Sequence, residues 1–179
     1  MLGALKLLIT PTTLLDTSER AAIVALCTAS FEQDFASLFD LVPPTTTHIR
    51  AFLDDRLVGH ACWAPRPLQI GAGPILTAAY VDAVATDRTR QGRGIGSAVL
   101  TRFAEETSTA PLRALSTERV SFYTRLGWQH WRGRVAVRTA DGLLDTPDDT
   151  LLILPSAQTP SLDLNGLLIG EPRSSGHHW

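Results

Sequence analysis

The glycine-rich segment from Gln91 to Gly96 constrains the fold more than any other part of the chain. Residues 79–86, just before it, are apolar or β-branched apart from one acid, which predicts a buried strand. After it, Ile95, Val99 and Phe103 recur every four residues, which predicts one apolar helix face. The segment is therefore expected to form a turn between the end of a strand and the start of a helix.

Three glycines in this turn, Gly92, Gly94 and Gly96, leave the backbone uncovered where the helix starts. Several N–H groups can then point at one anion, and the helix dipole adds positive charge, as do Arg90 and Arg93. We therefore predict a diphosphate site. A nucleoside-triphosphate loop would end in Gly-Lys-Ser or Gly-Lys-Thr, whereas this one ends in Gly-Ser-Ala. A dinucleotide fingerprint would space its glycines as G-x-G-x-x-G, whereas here they follow G-x-G-x-G.

Size and charge limit the possible partners. A chain of 179 residues is expected to form a single domain over residues 1–179, with an irregular tail from about residue 155. The net charge of −2 gives no basic footprint for a nucleic acid. Two cysteines, Cys27 and Cys62, are too few for a disulfide scaffold, and they predict core residues and a cytoplasmic location. The apolar start is too short for a membrane span and predicts the first strand.

The hydrophobic pattern along the chain predicts an α+β fold, a mixed, mostly antiparallel twisted sheet flanked by helices. Asp16, with Glu19 three residues later, predicts a capped helix start. Residues 48–53 and 57–65 predict a hairpin around a turn at 54–56. A short strand is expected at 112–116, a second helix at 118–126, and late strands from residue 128.

The strand, turn and helix resemble the pyrophosphate loop of the GNAT superfamily of acetyl-CoA-dependent N-acetyltransferases, whose pattern is Gln/Arg-x-x-Gly-x-Gly/Ala. Gln91, Gly94 and Gly96 fill this pattern, and residues 84–87 match the family's strand end. The resemblance implies a GNAT fold with acetyl-CoA as cosubstrate. Backbone groups near Val84 would bind the pantetheine arm and polarise the thioester carbonyl. The cofactor-binding residues that it implies are Val84, Ala85, Thr86, Gln91, Gly92, Arg93, Gly94, Ile95 and Gly96.

A second motif, from Ser121 to Trp128, matches the aromatic-Tyr helix and Gly-aromatic pattern of the same superfamily. Acetyl transfer to an amine expels a thiolate whose thiol has a pKa of about 8.5, so a nearby proton donor helps it to leave. The resemblance implies that Tyr123 is this catalytic donor. The alternative is a tyrosine that only packs against its neighbours.

Asp82 is the one acid in the otherwise apolar strand that leads to the glycine turn. An unpaired buried carboxylate is unfavourable, so this group should face a cleft, a water molecule or a cation. As a catalytic residue it would take the proton of the amine through water, or it would hold a cationic substrate. A structural role, at a bulge or beside an arginine, is the alternative.

A narrower resemblance, to the aminoglycoside 2′-N-acetyltransferases, covers nearly the whole chain. It rests on residues 80–82, 114–116, 125–128 and 146–149 and on the terminal Trp179. It implies a homodimer and a polycationic small-molecule acceptor, an aminoglycoside, held by charge-assisted hydrogen bonds. The substrate-binding residues that it implies are Asp34, Asp40, Asp82, Ser116, Asp149 and Trp179, the last through its α-carboxylate.

Two departures from that family keep other acceptors open. His177 and His178 precede the final Trp179, and the loop between Ser116 and Tyr123 is shorter than in the family. Another polyamine, an amino sugar or a peptide amine is an alternative acceptor, and a domain that binds acyl-CoA without turnover is a second alternative. The acids could also merely end loops. The five histidines show no ligand pattern with a cysteine or an acid, so no metal is expected.

Overall fold

The computed structural model describes residues 4–171 and Trp179. Ten strands and four α-helices lie within that part of the chain. The strands are β1 (Lys6–Pro11), β2 (Thr47–Leu53), β3 (Arg56–Ile70), β4 (Ile75–Thr86), β5 (Leu112–Ser116), β6 (Gln129–His130), β7 (Val135–Thr139), β8 (Gly142–Asp145), β9 (Leu151–Ile153) and β10 (Leu168–Gly170). The helices are α1 (Thr17–Phe31), α2 (Leu38–Leu41), α3 (Ile95–Glu106) and α4 (Val120–Thr124). Of these helices, none is both long enough and apolar enough to cross a membrane.

The chain divides into two compact units. The first unit comprises Met1–Ala64 and Val81–Glu106, and the second comprises Pro65–Tyr80 and Thr107–Trp179. Strands β3 and β4 contribute residues to both units, because each is cut by one of these boundaries. The single domain over residues 1–179 stays a prediction.

In the first unit, β1 pairs antiparallel with β2, and β2 pairs antiparallel with β3. The turn between β2 and β3 is Asp54-Asp55, and both residues have positive φ angles, 49° and 58°. Two left-handed residues give a type I′ turn, whose twist matches that of the flanking strands. The predicted hairpin is confirmed.

Helix α1 starts where the sequence predicts. The Asp16 carboxylate accepts a hydrogen bond from the Glu19 amide at 2.8 Å, and the Glu19 carboxylate accepts one from the Asp16 amide at 3.0 Å. This reciprocal capping box gives hydrogen-bond partners to two N–H groups at the start of the helix, for which the helix itself has no carbonyl partner. The buried face of α1 joins an apolar cluster of the first unit, made of Leu15, Ile23, Leu26, Cys27, Leu38 and Ala85.

In the second unit, β5 lies between β4, with which it is parallel, and β9, with which it is antiparallel. Elsewhere in this unit β10 pairs antiparallel with β3 and parallel with β7, and β8 forms a hairpin with β7. Antiparallel pairs predominate, and the α+β class with a mixed sheet and flanking helices is confirmed. The apolar core of this unit includes Leu68, Tyr80, Leu112, Trp131, Val137, Ile153 and Trp179.

The structure corrects two expectations about the C-terminal half. The helix expected at 118–126 is limited to α4, a single turn. The tail that the sequence indicates as irregular contains β10, and Trp179 is 7% exposed. The indole N–H of Trp179 donates to the Thr146 hydroxyl at 2.8 Å, and the Arg66 guanidinium stacks on its ring at 4.8 Å. Scattered apolar residues in a Pro- and Ser-rich stretch are enough to join the core, because β10 spans only three residues and two of them, Leu168 and Ile169, are apolar.

Candidate functional site

The glycine loop lies between β4 and α3, as the sequence predicts. A short 3-10 turn, Arg88–Arg90, follows β4, and residues 91–94 lead to the first residue of α3. Gly92 and Gly94 have φ angles of 74° and 81°, which favour glycine strongly. A Cβ atom built on either of them would meet nothing within 4 Å. The loop therefore presents uncovered backbone at a helix N-terminus, with open space in front of it for an anion.

The start of α3 lies close to β3 because Gly59 on β3 has no side chain. A Cβ atom on Gly59 would lie 2.6 Å from Cγ2 of Ile95, so only glycine leaves room for the helix here. Further along α3, Phe103 is fully buried and meets the Trp63 ring edge-on, with the centroids 5.7 Å apart. These contacts fix the position of the N-terminus of α3 relative to the hairpin.

The end of β4 is tied down by side chains and backbone. The Asp87 carboxylate accepts hydrogen bonds from the Thr89 hydroxyl and amide at 2.7 Å and 2.9 Å, and Arg56 lies 3.0 Å away. The pKa of Asp87 is lowered, chiefly by the hydrogen bond from the Thr89 side chain. The Ser30 hydroxyl donates to the carbonyl of Thr86 at 3.0 Å. The backbone that enters the glycine loop is therefore held in one place.

Strand β4 is not regular at Asp82 and Ala83. Ala83 has a φ angle of 49°, a left-handed conformation that alanine seldom adopts within a strand. Its carbonyl accepts a hydrogen bond from Nδ1 of His60 at 2.9 Å, and the carbonyl of Asp82 accepts one from the Cys62 thiol at 3.6 Å. The Asp82 side chain is half-buried. Its catalytic role stays a prediction.

Behind this irregularity is a buried cluster that the sequence analysis missed. Nδ1 of His48 lies 3.0 Å from Nε2 of His60, and possible ligand atoms of His48, His60 and Cys62 all lie within 4.8 Å of one another. These are the residues, within the described part of the chain, that could hold a metal ion, contrary to the expectation that the histidines lack a cysteine partner.

One extra residue in β3 explains why the cluster was missed. Leu53 pairs with Arg56 and Phe52 with Leu57, but Ala51 pairs with Gly59, so Val58 is a bulge. The bulge shifts the register by one residue and places His48 opposite Cys62. Regular pairing would have put His48 and His60 on opposite faces of the hairpin.

Burial keeps both imidazoles neutral. Desolvation, followed by the charges of His60 and Arg50, lowers the pKa of His48 to about 3. Desolvation also lowers the pKa of His60 to about 4, although the bond to the Ala83 carbonyl acts against this. Burial raises the pKa of the nearby Cys27 thiol to about 12. The cluster is therefore a network of neutral hydrogen-bonding groups, and both cysteines are buried thiols outside any disulfide, in line with their predicted place in the core.

In the second unit, Tyr123 lies on α4 and is 7% exposed. Its ring packs edge-on against Phe122 and Trp128, with centroid distances of 5.0 Å and 5.9 Å. Its carbonyl accepts hydrogen bonds from the amides of Leu126 and Trp128, which closes the Gly-aromatic turn after the helix. Two aromatic contacts fix the ring. The catalytic role of Tyr123 stays a prediction.

Two of the residues expected to bind the acceptor, Asp149 and Trp179, each form a hydrogen bond with Thr146 in the second unit. The Asp149 amide donates to the Thr146 carbonyl at 3.1 Å, and the Thr146 hydroxyl accepts from the Trp179 indole. Asp149 also lines an open cleft of about 620 Å³ beside His130, Arg132 and Arg134. Ser116 is exposed at the end of β5, and in the first unit Asp34 and Asp40 are exposed. Their roles in binding stay predictions.

A family comparison agrees with this geometry. Residues 12–131, two thirds of the chain, match the model of the acetyltransferase (GNAT) domain. The chain belongs to the GNAT acetyltransferase family. The matched region contains the glycine loop, the β4 irregularity and Tyr123.

Solved GNAT structures share the fold. Eis1 from Mycobacterium abscessus is 19% identical with a TM-score of 0.60, over 73% of this chain and 32% of its own. The chain thus spans about a third of the length of that protein. ElaA from Escherichia coli is 15% identical with a TM-score of 0.61, over 84% of this chain and 99% of its own. The ribosomal-protein-S18-alanine N-acetyltransferase from Escherichia coli is 15% identical with a TM-score of 0.57, over 88% and 97%.

The glycine loop predicts that Gly94→Asp abolishes tight CoA binding in this GNAT protein. A carboxylate would enter the open space in front of the loop and repel a diphosphate, while no atom within 4 Å would clash with it. We expect CoA affinity, measured by calorimetry, to fall by more than about tenfold. Gly71→Asp is the matched control, because Gly71 also has a positive φ and open space but lies in another turn. Equal CoA affinity in the two variants would contradict the assignment.

The histidine pair predicts acid-sensitive stability. Both pKa values are lowered from 6.5 by folding, so the unfolded chain binds more protons below this value and stability falls as the pH falls. Between about pH 7 and pH 5 we expect a loss of about 2–4 kcal/mol in the free energy of unfolding, measured in urea. Protonation of Asp and Glu side chains dominates the pH dependence of the free energy of unfolding only below about pH 4.5. Proton NMR signals of both rings that titrate near their ordinary pKa would contradict the prediction.

Proposed function

We propose that the protein is an acetyl-CoA-dependent N-acetyltransferase. The observation that carries the proposal is the pair of left-handed glycines, Gly92 and Gly94, at the N-terminus of α3 and directly after β4. GNAT domains use acetyl-CoA as cosubstrate, and an uncovered helix N-terminus suits its diphosphate. The basic side chains of Arg90 and Arg93 flank the same loop and add to the attraction.

The proposed chemistry needs three groups of this chain. A backbone group near Val84 polarises the thioester carbonyl, and Asp82 accepts the proton of the acceptor amine through a water molecule. The amine nitrogen forms a bond to the acetyl carbon while the carbon–sulfur bond breaks. Tyr123 donates its proton to the departing thiolate, which leaves as CoA. No metal is needed for this step.

We propose an aminoglycoside with a free 2′-amine as the acceptor. Such a molecule carries several ammonium groups, which carboxylates bind by charge-assisted hydrogen bonds. Asp34 and Asp40 expose their carboxylates to solvent, so each can meet a charged ligand. The bonds of Asp149 and Trp179 to Thr146 support a joint role for these two residues.

A peptide α-amine is the second candidate, supported by the likeness to the ribosomal-protein-S18-alanine N-acetyltransferase. A thiol-release assay with acetyl-CoA separates the candidates. Its acceptors are aminoglycosides with a 2′-amine, their 2′-hydroxy counterparts and peptides with N-terminal alanine. Turnover of the 2′-amines alone supports the first proposal, and turnover of the peptides alone supports the second. No turnover with any amine, together with CoA binding, would indicate a domain that binds acyl-CoA without catalysis.

The proposed setting is the cytoplasm, where acetyl-CoA is available and free cysteines persist. Two buried cysteines that form no disulfide are compatible with this setting. A homodimer is proposed from the resemblance to the aminoglycoside 2′-N-acetyltransferases. A nucleic acid or a membrane is not among the proposed partners.

Tyr123→Phe tests the proton donor. The substitution removes one hydroxyl and keeps the ring contacts with Phe122 and Trp128. We expect kcat to fall by about 10²–10⁴ while the KM of acetyl-CoA stays nearly constant. Phe122→Leu is a packing control and should leave kcat close to that of the wild type. A Tyr123→Phe variant with wild-type kcat would make Tyr123 a packing residue.

Deletion of Trp179 tests the acceptor site. The proposed carboxylate contact is one charge-assisted hydrogen bond, so its loss should raise the acceptor KM by about 10- to 100-fold. The KM of acetyl-CoA should not change. Trp179→Phe keeps the carboxylate but loses the indole bond to Thr146, so it separates the two contributions. Unchanged acceptor kinetics in the deletion variant would contradict the aminoglycoside proposal and leave the general one intact.

A further inference from the structure

The left-handed conformation of Ala83 needs an explanation. A non-glycine residue in this region is strained, and the conformation persists only where the surroundings hold it. In a regular strand successive carbonyls point toward opposite neighbours. Here the carbonyls of Asp82 and Ala83 both accept from side chains of one strand, since Cys62 and His60 are two residues apart on β3. These two hydrogen bonds therefore depend on the irregular conformation of β4 and would not both form in a regular strand.

His60 is the more strongly fixed of the two donors. The Ala83 carbonyl can only accept, so Nδ1 of His60 carries the proton of this bond. In a neutral ring Nε2 is then an acceptor, and it receives the Nδ1–H of His48 at 3.0 Å. Nε2 of His48 in turn lies 2.8 Å from the Thr12 hydroxyl.

The far end of this line has one consistent proton arrangement. The Thr12 hydroxyl has a single proton, and both Nε2 of His48 and the Thr46 carbonyl are within reach. The Thr46 carbonyl already accepts from the Thr12 amide at 2.9 Å. Nδ1 of the neutral His48 ring carries the proton that is donated to His60, so Nε2 can only accept and the bond between Thr12 and His48 is donated by the hydroxyl. Every bond of the line then runs toward Ala83.

We propose that His60 is a positioning residue for acetyl transfer: it holds the β4 irregularity at Ala83 and thereby sets the direction of the Val84 backbone. The inference rests on the proposed function, in which that backbone polarises the thioester. His60 itself is completely buried and touches neither substrate. Its effect is transmitted through the bond to Ala83 and the peptide that joins Ala83 to Val84.

The same residues could in principle ligate a metal, but their polar groups already make hydrogen bonds. Nε2 of His60 accepts a hydrogen bond from the Nδ1–H of His48, and the Cys62 thiol donates one to the Asp82 carbonyl. After desolvation and His60, the cations of Arg50 and Arg20 lower the pKa of His48, and after desolvation the cation of Arg50 lowers that of His60. A cation at this position would lose hydrogen bonds and meet like charge, so the positioning role fits the geometry better.

His60→Leu and His60→Asn form the test. Leucine has no donor, whereas the asparagine amide nitrogen lies as far along the side chain as Nδ1 and can donate to Ala83. Kinetics use acetyl-CoA and an aminoglycoside with a free 2′-amine. We expect His60→Leu to lower kcat by about 10- to 100-fold, as small displacements of a catalytic group do, with an acetyl-CoA KM within about threefold. We expect His60→Asn to recover most of kcat.

Two controls separate positioning from general destabilisation. Ile49→Val removes a methylene from the same hairpin, where Ile49 is fully buried, and should lower stability without lowering kcat. If His60→Leu does not fold, Cys62→Ala and Cys62→Ser replace the pair, because serine keeps a donor for the Asp82 carbonyl. Metal analysis of the purified wild type is the check on the alternative, and one tightly bound ion per chain would overturn the proposal.

The amide NMR signal of Val84 gives a readout that does not depend on turnover. It should move in His60→Leu and return toward its wild-type position in His60→Asn. A signal that is unchanged in the leucine variant, a wild-type kcat in that variant, or equal losses with leucine and asparagine would each overturn the inference. A wild-type protein that neither binds nor consumes acetyl-CoA would instead overturn the proposed function, and the Val84 signal would still test the role of His60.

Discussion

One residue of β3 without a partner in β2, Val58, determines which side chains lie in the interior of the first unit. The bulge that it forms shifts the pairing of β2 with β3 by one position. His48, His60 and Cys62 then share one buried face, where each finds a hydrogen-bond partner. The carbonyl of Val58 also accepts the amide of Asp87 at 2.9 Å, so the same bulge helps to hold the end of β4. A change of register here would alter the core and the site together.

The proposed cofactor site depends on backbone geometry more than on side-chain chemistry. Gly92 and Gly94 contribute positive φ angles and empty space, and the N-terminus of α3 contributes N–H groups. Such a site requires few specific side chains outside the loop, because backbone N–H groups would bind the diphosphate. Structures only 15–19% identical to the chain share its fold.

The sequence predicted those features that local patterns control. The capping box at Asp16, the hairpin with its turn near Asp54 and the strand–glycine–helix order each depend on a few neighbouring residues, and each is confirmed. The histidine cluster depends on a bulge, which adds one residue to a strand and leaves no clear mark in the hydrophobic pattern. The burial of Trp179 was missed for a similar reason, since β10 is only three residues long. Long-range pairing decides both outcomes.

The line of hydrogen bonds from Thr12 to Ala83 has a direction, and this has a consequence for its dynamics. Reversing any one bond would leave the Ala83 carbonyl without its donor, so the protons cannot move independently of one another. Both rings are fully shielded from solvent, and their N–H protons can exchange with water only when the hairpin opens. The exchange rate of these protons therefore measures how often the first unit loosens. The same measurement can be made with or without a bound substrate.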